Sequence, residues 1–143
     1  MKVQVDGSRD LGLLLLRVGI GLMFVIVHGL PKVLGGVSKW TSLGGAFNRI
    51  FGITFIPAFW GFMATAAEFG GGLCLIAGIA FRPACALILF TLLIAVTSIL
   101  RGGYGFHAAS QPIELSIVLF ALFFVGAGRF TLPKIVTSIR APK

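Results

Sequence analysis

Residues 57–100 read PAFWGFMATAAEFGGGLCLIAGIAFRPACALILFTLLIAVTSIL, and only two of them, Glu68 and Arg82, carry a charge. A helix that crosses the hydrocarbon core of a bilayer needs about 20 apolar residues. Arg82-Pro83 divides this stretch into two such runs, about 57–81 and 83–100. Proline starts a helix readily at its first position but disrupts one from inside. So short a link forces the two helices to lie antiparallel and adjacent. The stretch therefore reads as a membrane hairpin.

The same pattern extends outward. Upstream, a short polar head with Lys2 and Arg9 leads into an apolar run from Leu11 to Leu30. That run carries Arg17 and continues into His28-Gly29-Leu30-Pro31-Lys32 without a small-residue cleavage site, so it reads as a permanent span rather than a signal peptide. Downstream, residues 101–112 read as an outer loop, about 113–128 as a fourth span, and the remainder as a basic tail. Between the first and second spans, Val37, Trp40, Leu43, Phe47 and Ile50 recur at helical spacing among glycines. This segment is either a short amphipathic helix on the membrane surface, with Trp40 as interfacial anchor, or a structured loop.

The expectation is an all-α membrane protein: one domain, a bundle of four transmembrane helices spanning about 11–30, 57–81, 83–100 and 113–128. Composition agrees. Of 143 residues, 57% are hydrophobic and 11% charged, against roughly a quarter charged in soluble domains. Much of the exterior must face the lipid bilayer. Basic residues set the orientation. With the N-terminus inside, Lys2, Arg9, Arg82, Arg129, Lys134, Arg140 and Lys143 are cytoplasmic, and Lys32, Lys39, Arg49 and Arg101 lie outside. That bias favours both ends inside.

The net charge of +8 does not point to nucleic acid, because the cations sit at the ends of apolar runs rather than in a stripe with interleaved aromatics. Cys74 and Cys85 lie eleven residues apart in apolar surroundings and form neither a redox pair nor a metal-ligand cluster. No nucleophile elbow, phosphate loop, zinc-protease or dinucleotide motif is present.

Candidate chemistry therefore rests on charged and titratable groups inside the spans: Arg17, His28, Glu68 and Glu114. A charge near the bilayer centre costs about 2.5–3.5 kcal/mol, so such residues face the bundle interior and find partners. With a rise of about 1.5 Å per residue, Glu68 falls near the midplane with Arg17 roughly 5 Å away, while His28 and Glu114 fall roughly 9–12 Å toward the outside. The expected layers are Arg17 with Glu68, and His28 with Glu114. Each residue also has a plain structural reading. Arg17 and Glu68 form a register-fixing ion pair, Glu114 stabilises a helix start after Gln111-Pro112-Ile113, and His28 hydrogen-bonds at the interface. His107, beside Tyr104, reads as exposed. A small-residue stripe, Gly61, Ala64, Gly71 or Gly72 and Gly78, either packs helices closely or leaves room for a flat ligand.

Leu16-Arg17-Val18-Gly19-Ile20-Gly21, His28-Gly29 with Lys32, Glu68-Phe69-Gly70-Gly71-Gly72-Leu73, Gly78 before Arg82, and Gly128-Arg129-Phe130 occur in that order over about residues 11–134. Together they resemble the DoxX family of small bacterial membrane proteins. The resemblance implies a four-helix, multi-pass protein of the bacterial inner membrane. Some relatives are associated with quinone-coupled thiosulfate oxidation, and others with thiol or oxidative stress alongside soluble partners. Taken with the titratable groups inside the spans, it suggests a membrane quinone near Arg17, His28, Glu68 and Glu114, with electrons from a soluble redox partner or a small sulfur compound. The competing reading is a non-enzymatic scaffold or small transporter, with homo-oligomerisation open in either case. The absence of a cysteine pair argues against direct dithiol chemistry, and no bis-histidine pattern suggests haem.

Overall fold

The computed structural model describes residues 7–53 and 55–140; Lys2 and Lys143 lie outside the described residues. The chain is helical nearly throughout. Helix α1 (Gly7–Met23) runs through a wide π-helical turn (Phe24–Gly29) into α2 (Leu30–Leu34). Then come α3 (Gly36–Phe51), α4 (Pro57–Ala77), α5 (Phe81–Arg101), α6 (Gly105–Val125) and α7 (Leu132–Arg140). Among the described residues, four helical stretches are long and apolar enough to cross a membrane: Gly7–Leu34, Pro57–Ala77, Phe81–Arg101 and Gly105–Val125. The four-span, all-α reading is correct, and the protein is a multi-pass membrane protein.

Helix boundaries differ from the sequence reading for identifiable reasons. The first span passes through Pro31 instead of ending before it. A proline inside a helix lacks an N–H and clashes with the carbonyl four residues back. Here the preceding π turn absorbs the misfit, with Leu30 N–H donating to Val25 O. The break between α4 and α5 falls at Gly78–Ala80, not at Arg82-Pro83. Gly78, at φ +70°, ends α4 with the paired bonds of a Schellman motif, its N–H donating to Leu75 O (3.2 Å) and Ile79 N–H to Cys74 O (3.1 Å).

The largest correction concerns residues 101–112. The turn occupies Gly102–Tyr104, and α6 is already helical from Gly105, with Pro112 inside it. Membrane helices tolerate such prolines where local groups compensate. Pro112 has no N–H to offer the carbonyl of Ala108, and Ser116 Oγ donates to the carbonyl of Pro112 itself at 2.7 Å, a back-bond of the kind that bends helices. Glu114 is therefore not at a helix start, and His107 lies in the first turns of α6, exposed as expected.

Helix α4 is the spine. It packs on α1 and α5, and α6 packs on α5. Phe24, Leu75, Cys85, Ile88 and Leu119 form a fully buried core between them. Leu15, Ile26, Ile117 and Phe124 are more than half exposed, as lipid-facing side chains should be. The segment after the first span forms α3, antiparallel along the first half of α4. The approach is backbone to backbone: a Cβ on Gly61 would lie 1.8 Å from Trp40 O, and one on Gly44 1.7 Å from Pro57 O. The two ends of the bundle's chain meet on one side, where Arg129 N–H donates to buried Asp10 (3.1 Å).

Candidate functional site

The four candidate residues do not form two layers. Arg17 is 2% exposed, and its guanidinium donates to Leu75 O (3.0 Å), Ile76 O (2.8 Å) and Phe130 O. The last carbonyls of a helix have no partner within it, and Arg17 supplies one to the end of α4 while tying in the segment after α6. Gly78 leaves room for this: a Cβ there would lie 2.7 Å from the guanidinium. Leu75 and Ile76 are seven and eight residues beyond Glu68, about 11 Å along the helix. Arg17 is thus committed to backbone carbonyls, and the expected Arg17–Glu68 pair does not form.

Glu68 instead pairs with Lys32. Both side chains are largely buried, at 8% and 19% exposure. Lys32 is not in an outer loop, as the charge pattern suggests, but on the helical continuation of the first span. Its route to Glu68 is built by the π turn and by Gly29, where a Cβ would lie 2.8 Å from Phe69 Cα. The first span thereby approaches α4 beside the glutamate. The π turn is a common device at functional positions. Lys32 O accepts from Trp40 Nε1 at 2.9 Å, which fixes the start of α3 over the pair. His28, one helical turn before Lys32, lies within electrostatic range of both Glu68 and Lys32 and packs on Phe24 (ring centroids 5.3 Å). The signal for Lys32 was present in the sequence as the i, i+4 spacing of His28 and Lys32, which is visible only if the helix continues through Pro31.

The ion pair stands at the wall of a groove of about 630 Å³ between α4 and α5, roofed by Leu43 and Phe47 of α3. Small residues make the space: Ala64, Ala67, Gly71 and Cys74 from α4, Ala84 and Ala95 from α5. The glycine-rich second span thus serves both readings. Gly61 and Gly72 press against neighbouring backbones, and the adjacent face is hollow. Leu87 and Phe90, about half exposed, flank the groove on the side of the bundle. Besides Lys32 and Glu68, Thr91, Cys74 and Trp60 bring polar atoms to its lining; the Thr91 hydroxyl donates to Ile88 O (2.8 Å), and the buried Trp60 Nε1 has no hydrogen-bond partner among the described residues. Volumes of about 300–1,000 Å³ with few polar groups are typical of sites for small lipophilic ligands.

The sequence model of the DoxX family matches residues 12–101. The chain belongs to the DoxX family. The matched segment contains Lys32, Glu68, His28, Arg17 and every wall of the groove, and it stops at the end of α5. No curated protein and no solved structure matches this DoxX chain.

Glu114 stands apart. It is exposed on α6, and among the described residues it has no hydrogen bond or ion pair. Nothing joins it to His28. The depth expected for it rested on a helix starting at 113. Because α6 starts at Gly105, Glu114 is near the helix midpoint.

Proposed function

We propose that this DoxX-family protein is a quinone-linked redox component of the bacterial inner membrane, serving sulfur, thiol or oxidative-stress metabolism. The groove takes the quinone from the bilayer, with its tail along α5 and its head at Lys32 and Glu68. The observation that supports this reading is an apolar, laterally placed groove ending on a buried ion pair. A quinone has the matching shape, an apolar body with two carbonyl oxygens.

In this reading Lys32, not Arg17, polarises a carbonyl oxygen. Its ammonium is a mobile point-charge donor on a flexible stem. Glu68 holds the ammonium in place and stands at proton-transfer distance from the same head. His28, the neighbouring titratable group, exchanges protons with the end of the bundle beyond it. Reduction to the quinol consumes two electrons and two protons. The electrons come from a soluble partner protein or a small sulfur compound, and the protons pass through these side chains.

The test is equilibrium binding of a short-chain quinone, decylubiquinone, to protein in lipid nanodiscs. Binding that weakens about tenfold or more in Lys32→Met and Glu68→Gln, with thermal melting retained, supports the site. A groove that binds no quinone, or binds it equally well in both variants, sinks it.

A further inference from the structure

Helix α6 turns Ala109, Leu119 and Leu122 toward the bundle. At about 100° per residue, the opposite face carries His107, Ser110, Glu114, Ile117, Ala121 and Phe124. All but half-buried Ser110 are exposed. Their spacing is three, four, three, four, three, the pattern of a seam that packs against another helix. Small residues on it, Ser110 and Ala121, would permit close approach in lipid.

Near the middle of this seam stands Glu114, the tenth residue of a 21-residue helix, exposed and without a hydrogen bond or ion pair among the described residues. An ionisable side chain at mid-span is costly unless it finds a partner. The charged groups deep inside the other spans have found theirs: Lys32 with Glu68, and Arg17 with three backbone carbonyls. From these features we infer that the outer face of α6 docks a transmembrane helix of a different protein, one that carries a lysine or arginine near its own midpoint.

A second copy of this chain is the less suitable occupant. Copies in one membrane share one orientation, so a two-fold pairing along this seam sets Glu114 against the same residue of its mate. Neither Arg17 nor Lys32 is free to neutralise that pair. Charge complementarity therefore selects a cationic helix. The inference is independent of what the groove binds.

The test uses a synthetic transmembrane Leu-Ala peptide with one central lysine, and the same peptide with leucine there. Association with the fluorophore-labelled protein is read by energy transfer in phosphatidylcholine vesicles. The lysine peptide is expected to associate about tenfold more tightly than the leucine peptide, and Glu114→Gln to abolish the difference. The lysine peptide alone should also protect Glu114 from dicyclohexylcarbodiimide, which labels carboxylates exposed to lipid. Equal association of the two peptides, or a preference that survives Glu114→Gln, overturns the inference. So does an Ile117→Cys variant, in a Cys74→Ser/Cys85→Ser background, that cross-links efficiently to itself.

Discussion

Two buried cations on the first span meet opposite fates. Arg17, where the ends of the chain come together, spends its guanidinium on carbonyls of α4 and of the segment after α6. Lys32, on the far side of the π turn, has one carboxylate partner among the described residues and an apolar groove beside it. The first arrangement is anchored: both terminal guanidinium nitrogens donate to fixed backbone carbonyls, and only Nε is left buried without a partner among the described residues. The second is open: a flexible ammonium whose remaining donors can address a ligand. A cation inside a membrane span is thus not by itself a sign of function. What separates strut from candidate site is what its terminal donors hold and whether the side chain itself lines a groove, as Lys32 does.

The contrast breaks most visibly if Arg17 proves dispensable. Arg17→Met leaves the carbonyls of Leu75, Ile76 and Phe130 without this donor, and the expected loss is about 3–5 kcal/mol. The measurement is thermal unfolding in detergent, where the variant should melt far below the wild type or fail to accumulate.

Next in size is the roof of the groove. Gly61→Ala or Gly44→Ala must push α3 off α4, because the added Cβ falls within 2 Å of a carbonyl oxygen. A loss of about 2–3 kcal/mol is expected, and with it loss of quinone binding, since Phe47 and Leu43 move too. A melt unchanged within error would mean that α3 does not press on α4 in this way.

The ion pair should behave in the opposite manner to Arg17. Glu68→Gln keeps an acceptor for Lys32, so the expected stability cost is about 1 kcal/mol, while decylubiquinone affinity falls at least tenfold. If Glu68→Gln unfolds the protein as thoroughly as Arg17→Met, the two regions are alike and both are struts.

The smallest expected effect is on thiol reactivity. Cys74 is half-buried and lines the groove, whereas Cys85 is fully buried. N-ethylmaleimide should modify Cys74 first, and decylubiquinone should slow that reaction severalfold. Modification at equal rates would place the groove elsewhere.

The four spans were legible because bilayer thickness and apolar run length leave little freedom. The details turned on residues that act against their usual reading. Pro31 and Pro112 look like helix ends, yet the helices run through both, at Pro31 by way of a π turn. Moving those two boundaries moved Lys32 into the site and Glu114 to mid-span. Glu68 was recognisable from its depth alone as a buried ionisable group in need of a partner. Its partner was not, because depth along separate helices says nothing about which faces meet. Gly29, where a Cβ would strike Phe69, decides that.

The most direct measurement is a side-chain-resolution density map of the protein purified in native lipid nanodiscs. The expected result is a flat head group within hydrogen-bonding distance of Lys32, with an extended tail along α5 between Ala84 and Ala95. A groove closed by contact of α4 with α5, or filled by an acyl chain with no head group near Lys32 and Glu68, would contradict the assignment and leave the ion pair a second strut.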